Sequence, residues 1–255
     1  MSYQNAVRVA LDADCLRKKL KRYITWDYAK FPHMLLFGST GSGKTYLLKV
    51  MLARIRRYVS GAKIILCDFK ADTDFAMFRS AYRFLDCTDG LAWAVRILQD
   101  RQADLHADRY PLFLVFDEWA AYLTMLDKKA ADTARQQLAV LLMLGRSFNI
   151  HVIVSQQRVD STFFNAGARD NFSVIIGMGK LSKESVQMMF SDCKDSMNPC
   201  MQRGCGNLLI GGDHYTILVP QVRKPARVDH FIGKALIHCP SCAADGAARG
   251  AQRQR

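Results

Sequence analysis

The chain has 255 residues, half of them apolar and 23% charged, the balance of a globular domain with a sizeable core; disordered and collagen-like classes are excluded. Its 36 Lys and Arg against 23 Asp and Glu give a formal net charge of +13, which points to a polyanionic partner, either nucleic acid or an anionic membrane surface. The excess is uneven: residues 1–60 carry 12 Lys and Arg against 3 Asp and Glu, residues 220–255 carry 7 against 2, and the stretch between is near neutral at 17 against 18. No uncharged apolar run approaches the roughly 18 residues of a membrane span, and MSYQNAVRVALDAD lacks a secretory apolar stretch, so the expectation is a cytoplasmic chain with no transmembrane segment of its own.

In chain order, a basic lead-in over residues 1–32 is followed by HMLLF (33–37), read as a buried strand, and by a helix over 44–58. KIILC (63–67) and LFLVF (112–116) are the next strands, with a helix over 90–107 between them and another over 130–145 after them. HVIVS (151–155), SVIIG (173–177), a helix over 182–191, NLLI (207–210) and YTILV (215–219) complete the pattern. Short runs of branched and aromatic side chains suit strands covered on both faces. Their alternation with helices predicts βαβ units, hence an α/β fold with a largely parallel sheet and a single domain over 33–232. From residue 233 the chain becomes rich in Ala, Gly and Arg, ending ADGAARGAQRQR, and is expected to be a disordered basic tail over 233–255.

The eight Cys lack the spacing of a disulfide framework and read as reduced thiols. Cys239 and Cys242 have a metal-like C-x-x-C spacing, but a four-ligand zinc site needs two more donors. His238, Cys200 and Cys205 are candidates, and incidental cysteines are the simpler reading.

The strongest motif is GSTGSGKT: Gly38, Ser39, Thr40, Gly41, Ser42, Gly43, Lys44 and Thr45 satisfy G-x-x-x-x-G-K-[ST] between a predicted strand and a predicted helix. The glycines let successive backbone N–H groups turn toward one phosphate, the helix N-terminus adds positive dipole, Lys44 reaches the β and γ phosphates and Thr45 ligates Mg²⁺. Such a loop needs a carboxylate on a neighbouring strand, and LFLVFDEW supplies Asp117 for the Mg²⁺ shell and Glu118 to polarise the attacking water. Gln156, at the end of HVIVS, is placed to bond water and γ-phosphate or simply to be solvated. Arg146, ten residues earlier, is either a surface residue or one that meets a neighbouring subunit's nucleotide.

With these residues in place, the chain resembles the FtsK/SpoIIIE DNA translocases within the wider HerA–FtsK ATPases. The resemblance runs through TWDYAKFPHMLLFGSTGSGKT, ILCDFK, LFLVFDEWA, LGRSFNIHVIVSQQRVD and RGCGNLLI, over roughly residues 22–232. It implies a RecA-like P-loop domain using ATP and Mg²⁺, with Lys44, Thr45, Asp117, Glu118 and Gln156 in the roles above and Arg146 as an arginine finger acting in trans. It further implies a homo-oligomeric ring, usually a hexamer, that binds double-stranded DNA non-specifically and moves it. The chain looks most like the short motors of mobile elements, which serve conjugative transfer or plasmid maintenance and are recruited by a membrane-bound conjugation or division partner. Gln156-Gln157-Arg158 departs from the family's Gln-Arg-Pro. Lys128, Lys129, Arg158, Arg169, Lys180 and Lys183 are candidate DNA contacts, each also readable as an ordinary solvated residue. An ATP-switched DNA- or partner-binding adaptor is the alternative, and a P-loop small-molecule kinase a more distant one.

Overall fold

The computed structural model describes residues 6–239, except 105, 165, 166, 168, 199 and 201. In chain order the elements are β1 (Ala6–Asp12), α1 (Ala13–Arg17), β2 (Tyr23–Asp27), β3 (Met34–Gly38), α2 (Lys44–Tyr58), β4 (Lys63–Asp68), β5 (Tyr82–Arg83), α3 (Cys87–Ala103) and β6 (Leu112–Asp117). They continue with α4 (Trp119–Met125), α5 (Lys128–Leu144), β7 (Ile150–Gln156), β8 (Val174–Met178), α6 (Lys183–Met189), β9 (Cys205–Ile210), β10 (Asp213–Leu218) and α7 (Pro225–Gly233).

Every residue of β3, β6 and β7 is buried, as continuous apolar runs require when helices cover both faces. Alternate residues serve opposite cores: Met34 and Leu36 of β3 join α2 and α7 on one face, while Leu35 and Phe37 join α3 and α5 on the other. The result is a three-layer α/β/α arrangement around a 10-stranded sheet of order β2-β1-β10-β9-β8-β3-β7-β6-β4-β5.

From β5 to β8 every pairing is parallel, with β3 near the centre. From β8 to β2 every pairing is antiparallel. One of these antiparallel pairings has a local cause. Only Gly211 and Gly212 separate β9 from β10, both at positive φ (60° and 90°), and a two-residue turn of that kind closes a hairpin and cannot cross over to a parallel neighbour.

The predicted lead-in supplies two strands of this same sheet. β1 pairs with β10 and β2 with β1, and Val7, Val9 and Trp26 are fully buried in the core. Their short alternating pattern is obscured by the basic turn between them. Residues 235–239, expected to belong to the tail, pack against the sheet instead. Ile64 of β4 donates its N–H to Ala235 O and accepts from Ile237 N, both at 2.9 Å, so residues 235–237 cover the free edge of β4. Cys239 is buried and its N–H donates to the Tyr82 hydroxyl. Residues 240–255, including Cys242, lie outside the described residues.

Candidate nucleotide site

Because the six parallel strands all point one way, their carboxyl ends share one edge of the sheet, where ligands of open α/β sheets bind. β3 ends there at Gly38, whose φ is 146°; a Cβ on Gly38 would lie 2.3 Å from the Met178 carbonyl oxygen, so only glycine lets the loop leave β3 this close to β8. Gly41 and Gly43 follow at φ 82° and 100°, conformations that turn the loop amides inward, and α2 starts immediately at Lys44. The loop is braced from outside: Gly204 of the RGCG turn donates its N–H to Ser42 O at 2.9 Å. The adjoining cleft, about 310 Å³, is lined by Lys44, Thr45, Lys70, Glu118 and Arg203 among others.

Lys44 is 7% exposed. Burial lowers its pKa, and the Glu118 and Asp117 carboxylates pull it back up, so its charge is held by the two acids that the sequence pairs with it. Asp117 closes β6 in register with Asp68 of β4 on one side and Ser155 of β7 on the other. Burial, with Glu118 adding to it, pushes the Asp117 carboxyl up to about 6. Burial, with Asp117 adding to it, also pushes Asp68 to about 6. Neighbouring carboxyls in low dielectric resist being ionised together, which makes this row a place where added positive charge is favourable.

Gln156 ends β7 opposite Phe37, is fully buried, and neither its Nε2 nor its Oε1 has a hydrogen-bond partner in the protein. Ser42 Oγ and Asp68 Oδ2 are in the same condition. Buried polar atoms are ordinarily satisfied, so three such groups at one sheet edge mark where a polar ligand completes the structure.

Glu118 is the N-cap of α4 and holds the left-handed conformation, φ 61° and ψ 47°, unusual for a residue with a side chain. It is 4% exposed, and its Oε1 lies 3.0 Å from Lys70 Nζ and 3.5 Å from Gln157 Nε2. Burial works against the Lys70 charge, but the Glu118 carboxylate, with Asp117 and Asp72 adding to it, outweighs that and the net shift is upward. Lys70, two residues beyond the end of β4, is thus a site residue that spacing alone did not single out, although it stands in the strand-Asp-x-Lys of the family resemblance. Arg203 was missed likewise: the RGCG turn carries no sign of which loop it packs against.

Arg146 is not brought to this cleft. It lies in a short 3₁₀ turn, Gly145–Phe148, at the amino end of β7, and its Nε donates to Ala29 O at 3.2 Å. The seven residues of β7 separate that turn from Gln156 by about 23 Å. Of the candidate DNA contacts, Lys128, Lys129 and Lys183 are exposed at the starts of α5 and α6. Arg158 and Lys180 line a second cleft of about 700 Å³ beside Ser39 and Thr40. The Arg169 side chain lies outside what is described.

Among the described residues no three His, Cys, Asp or Glu converge as a self-sufficient metal cage. Mg²⁺ at a nucleotide site does not need one, because it takes one or two protein oxygens and completes its shell with phosphates and water. Thr45 in the cleft wall and the buried Asp117, whose ionised form a cation would restore, fit that donor set.

A family model described as the central domain of the helicase HerA matches residues 17–79. The FtsK domain-containing protein YdcQ of Bacillus subtilis (strain 168) is 29% identical over 225 residues, which are 79% of this chain and 46% of YdcQ, so the chain spans about half the length of that relative. The fold is shared with the cytoplasmic domain of the Thermomonospora curvata type VII secretion ATPase EccC, at a TM-score of 0.67 and 19% identity over 91% of this chain and 31% of EccC. It is shared also with the pCW3 conjugation coupling protein TcpA, at 0.63 and 20% over 84% of this chain and 65% of TcpA. With a glycine-rich loop of the phosphate-binding pattern, a buried carboxyl row beside it and these likenesses in sequence and fold, the chain resembles the P-loop ATPases of the HerA–FtsK type.

Proposed function

We propose that the chain hydrolyses Mg²⁺·ATP and uses the energy to move double-stranded DNA as a homo-oligomeric ring, in conjugative transfer or plasmid maintenance. The observation that carries the hydrolytic part is the Glu118 carboxylate, buried at the cleft wall beside Lys44 and fixed by Lys70. General-base catalysis needs a carboxylate held within reach of water, and the left-handed backbone and the ion pair together determine its position.

Gly38 to Thr45 wrap the phosphates, and Lys44 stabilises charge on the β and γ phosphates. Thr45 and Asp117 would hold Mg²⁺, which when bound would neutralise phosphate charge. Gln156, with both ends of its amide free, can donate to γ-phosphate and accept from the water that Glu118 deprotonates. Lys70 orients Glu118 and is close enough to the cleft to respond to an arriving γ-phosphate. Arg146 is too far along β7 to serve its own loop, so a role against a neighbour's nucleotide rests on the family resemblance alone.

The DNA part is supported by the FtsK-domain relative and by the fold shared with a conjugation coupling protein. No helix among the described residues is long and apolar enough to cross a membrane. The test is phosphate release with and without linear duplex at low salt, together with particle images in the presence of an ATP analogue. Stimulation of several-fold and rings threaded by duplex are expected. Equal rates with and without DNA, with no rings, would sink the motor reading.

A further inference from the structure

The hairpin of β1 and β2 and the last turn of α2 enclose a groove of about 440 Å³, lined by Arg8, Lys21, Tyr23, Thr25 and Tyr58. Three cations gather on one ring inside it. The Arg8 guanidinium lies 5.0 Å from the Tyr23 ring centroid, the Arg54 guanidinium 5.5 Å and the Lys21 ammonium 5.8 Å. Arg54 is held in place by donating to Arg8 O and Val9 O, both at 2.8 Å.

No described Asp or Glu pairs with any of the three. The reason lies in the composition of this region. Its only acids are Asp12, Asp14 and Asp27, and each is already engaged. Asp12 caps α1 and lies 3.7 Å from Arg22, Asp14 is paired with Arg17, and Asp27 accepts the N–H groups of Ala29 and Lys30. Contact with a tyrosine face offsets each cation by about 0.5–1 kcal/mol at an exposed site, and the mutual repulsion of three like charges is left unrelieved. An anion in the groove, against Arg8 and Lys21, would relieve it. The nucleotide cleft is not the anion's source: α2 begins at Lys44 and ends at Tyr58, a separation of about 21 Å along the helix.

We infer that this groove is a second contact for the DNA backbone, in which Arg8 and Lys21 take a phosphodiester of the duplex away from the nucleotide cleft and the neighbouring Arg54 adds positive potential. The inference rests on the DNA reading above. A strand of phosphodiesters enters a concave groove, whereas a flat bilayer surface does not. The Tyr58 hydroxyl on the rim is the kind of neutral donor that accompanies Arg and Lys on DNA phosphates.

The test is fluorescence anisotropy of the full chain with a labelled random-sequence duplex over a salt series. The variants are Arg8→Glu combined with Lys21→Glu, and the milder Lys21→Gln, both at exposed positions. A charge-matched control is Lys63→Glu with Lys234→Glu, also exposed and remote in sequence. Losing this phosphate contact should lower the slope of log affinity against log salt by about 1 and weaken binding about tenfold at low salt, with Lys21→Gln about half as severe on a logarithmic scale. Basal ATP hydrolysis should not change. Parental affinity and slope in the double variant would overturn the groove and leave the motor reading standing. An equal loss in the control would overturn it too, by showing that only bulk charge matters. Absence of duplex binding by the parent chain would defeat both readings. Tight binding to phosphatidylserine vesicles that the double variant loses, with duplex binding intact, would reassign the groove to a membrane.

Discussion

The parallel and antiparallel halves of the sheet handle charge in opposite ways. In the parallel half, from β5 to β8, acids and a lysine are buried together at the carboxyl edge, with Asp68 and Asp117 in register and Lys44 and Glu118 almost wholly covered. In the antiparallel half, cations stand on the surface of the β1–β2 hairpin, and every local acid is occupied elsewhere. The difference follows from strand direction. Parallel strands deliver all their carboxyl ends to one edge and so concentrate functional groups there, while antiparallel strands alternate their ends and offer only side faces. Chemistry is therefore expected of one half and electrostatic attraction of the other.

The largest break in that comparison should come from Lys44→Ala. Removing the buried ammonium takes charge stabilisation from the phosphates, and ATP turnover should fall about 10²–10³-fold or more in a phosphate-release assay. DNA affinity measured without nucleotide should be untouched. A variant that lost DNA binding in parallel would show that the two halves are not separable.

Next in size are the two partners of the ion pair. Glu118→Gln should cost about 10²-fold in kcat while nucleotide affinity stays within a few-fold, because the amide keeps the shape but cannot take a proton. Lys70→Ala should cost about tenfold in kcat, with Lys70→Arg recovering most of it. If Lys70→Ala instead raised KM with kcat unchanged, Lys70 would be a phosphate-binding residue and not the one that positions Glu118.

The smallest effect is pH-dependent and belongs to the parallel half alone. Burial raises the Asp117 carboxyl to about 6, above its ordinary 3.8. The folded chain therefore binds this proton more tightly than the unfolded chain. The stability this group contributes is fully present below about 4 and is lost as pH rises through about 6. Mg²⁺ needs the ionised form, so the proton and the metal compete. Mg²⁺·ATP affinity should be flat from pH 7 to 8 and fall by up to about tenfold per unit below 6. Calorimetric titration from pH 5 to 8 reads this directly, and an affinity that does not change across the range would exclude Asp117 as the metal ligand.

All seven apolar runs read as strands are strands in the fold, and the helix expected over 44–58 is α2 residue for residue. The central parallel strands were legible because a strand covered on both faces must be apolar at every position. β1 and β2 were not, since they border the antiparallel edge, interleave charged residues such as Arg8, and enclose a basic turn that dominates the local composition. α4 was hidden because its apolar residues continue directly from Asp117-Glu118, and β5 because two residues carry no periodicity. In the site, Gly38 to Thr45 and Asp117-Glu118 were readable because loop and strand end each confine their chemistry to adjacent positions. Lys70 and Arg203 come from loops far apart in the chain, and no spacing rule links them to Glu118 or to Ser42.

The sequence by itself determined the α/β class and the places of the glycine-rich loop and the acid pair, because each rests on local patterns: apolar runs, closely spaced glycines, carboxylates at a strand end. Tertiary structure alone decided that Lys70 holds Glu118, that Gln156 is buried with its amide unpaired, and that Arg146 lies a full strand from its own cleft. It also decided the meaning of the +13 charge with which the chain was first met. Charge counted along a chain says how many cations there are, but only packing shows which have acids beside them. Here Arg8, Lys21 and Arg54 do not, because folding assigned the three acids of their region to helix capping, ion pairing and turn hydrogen bonds.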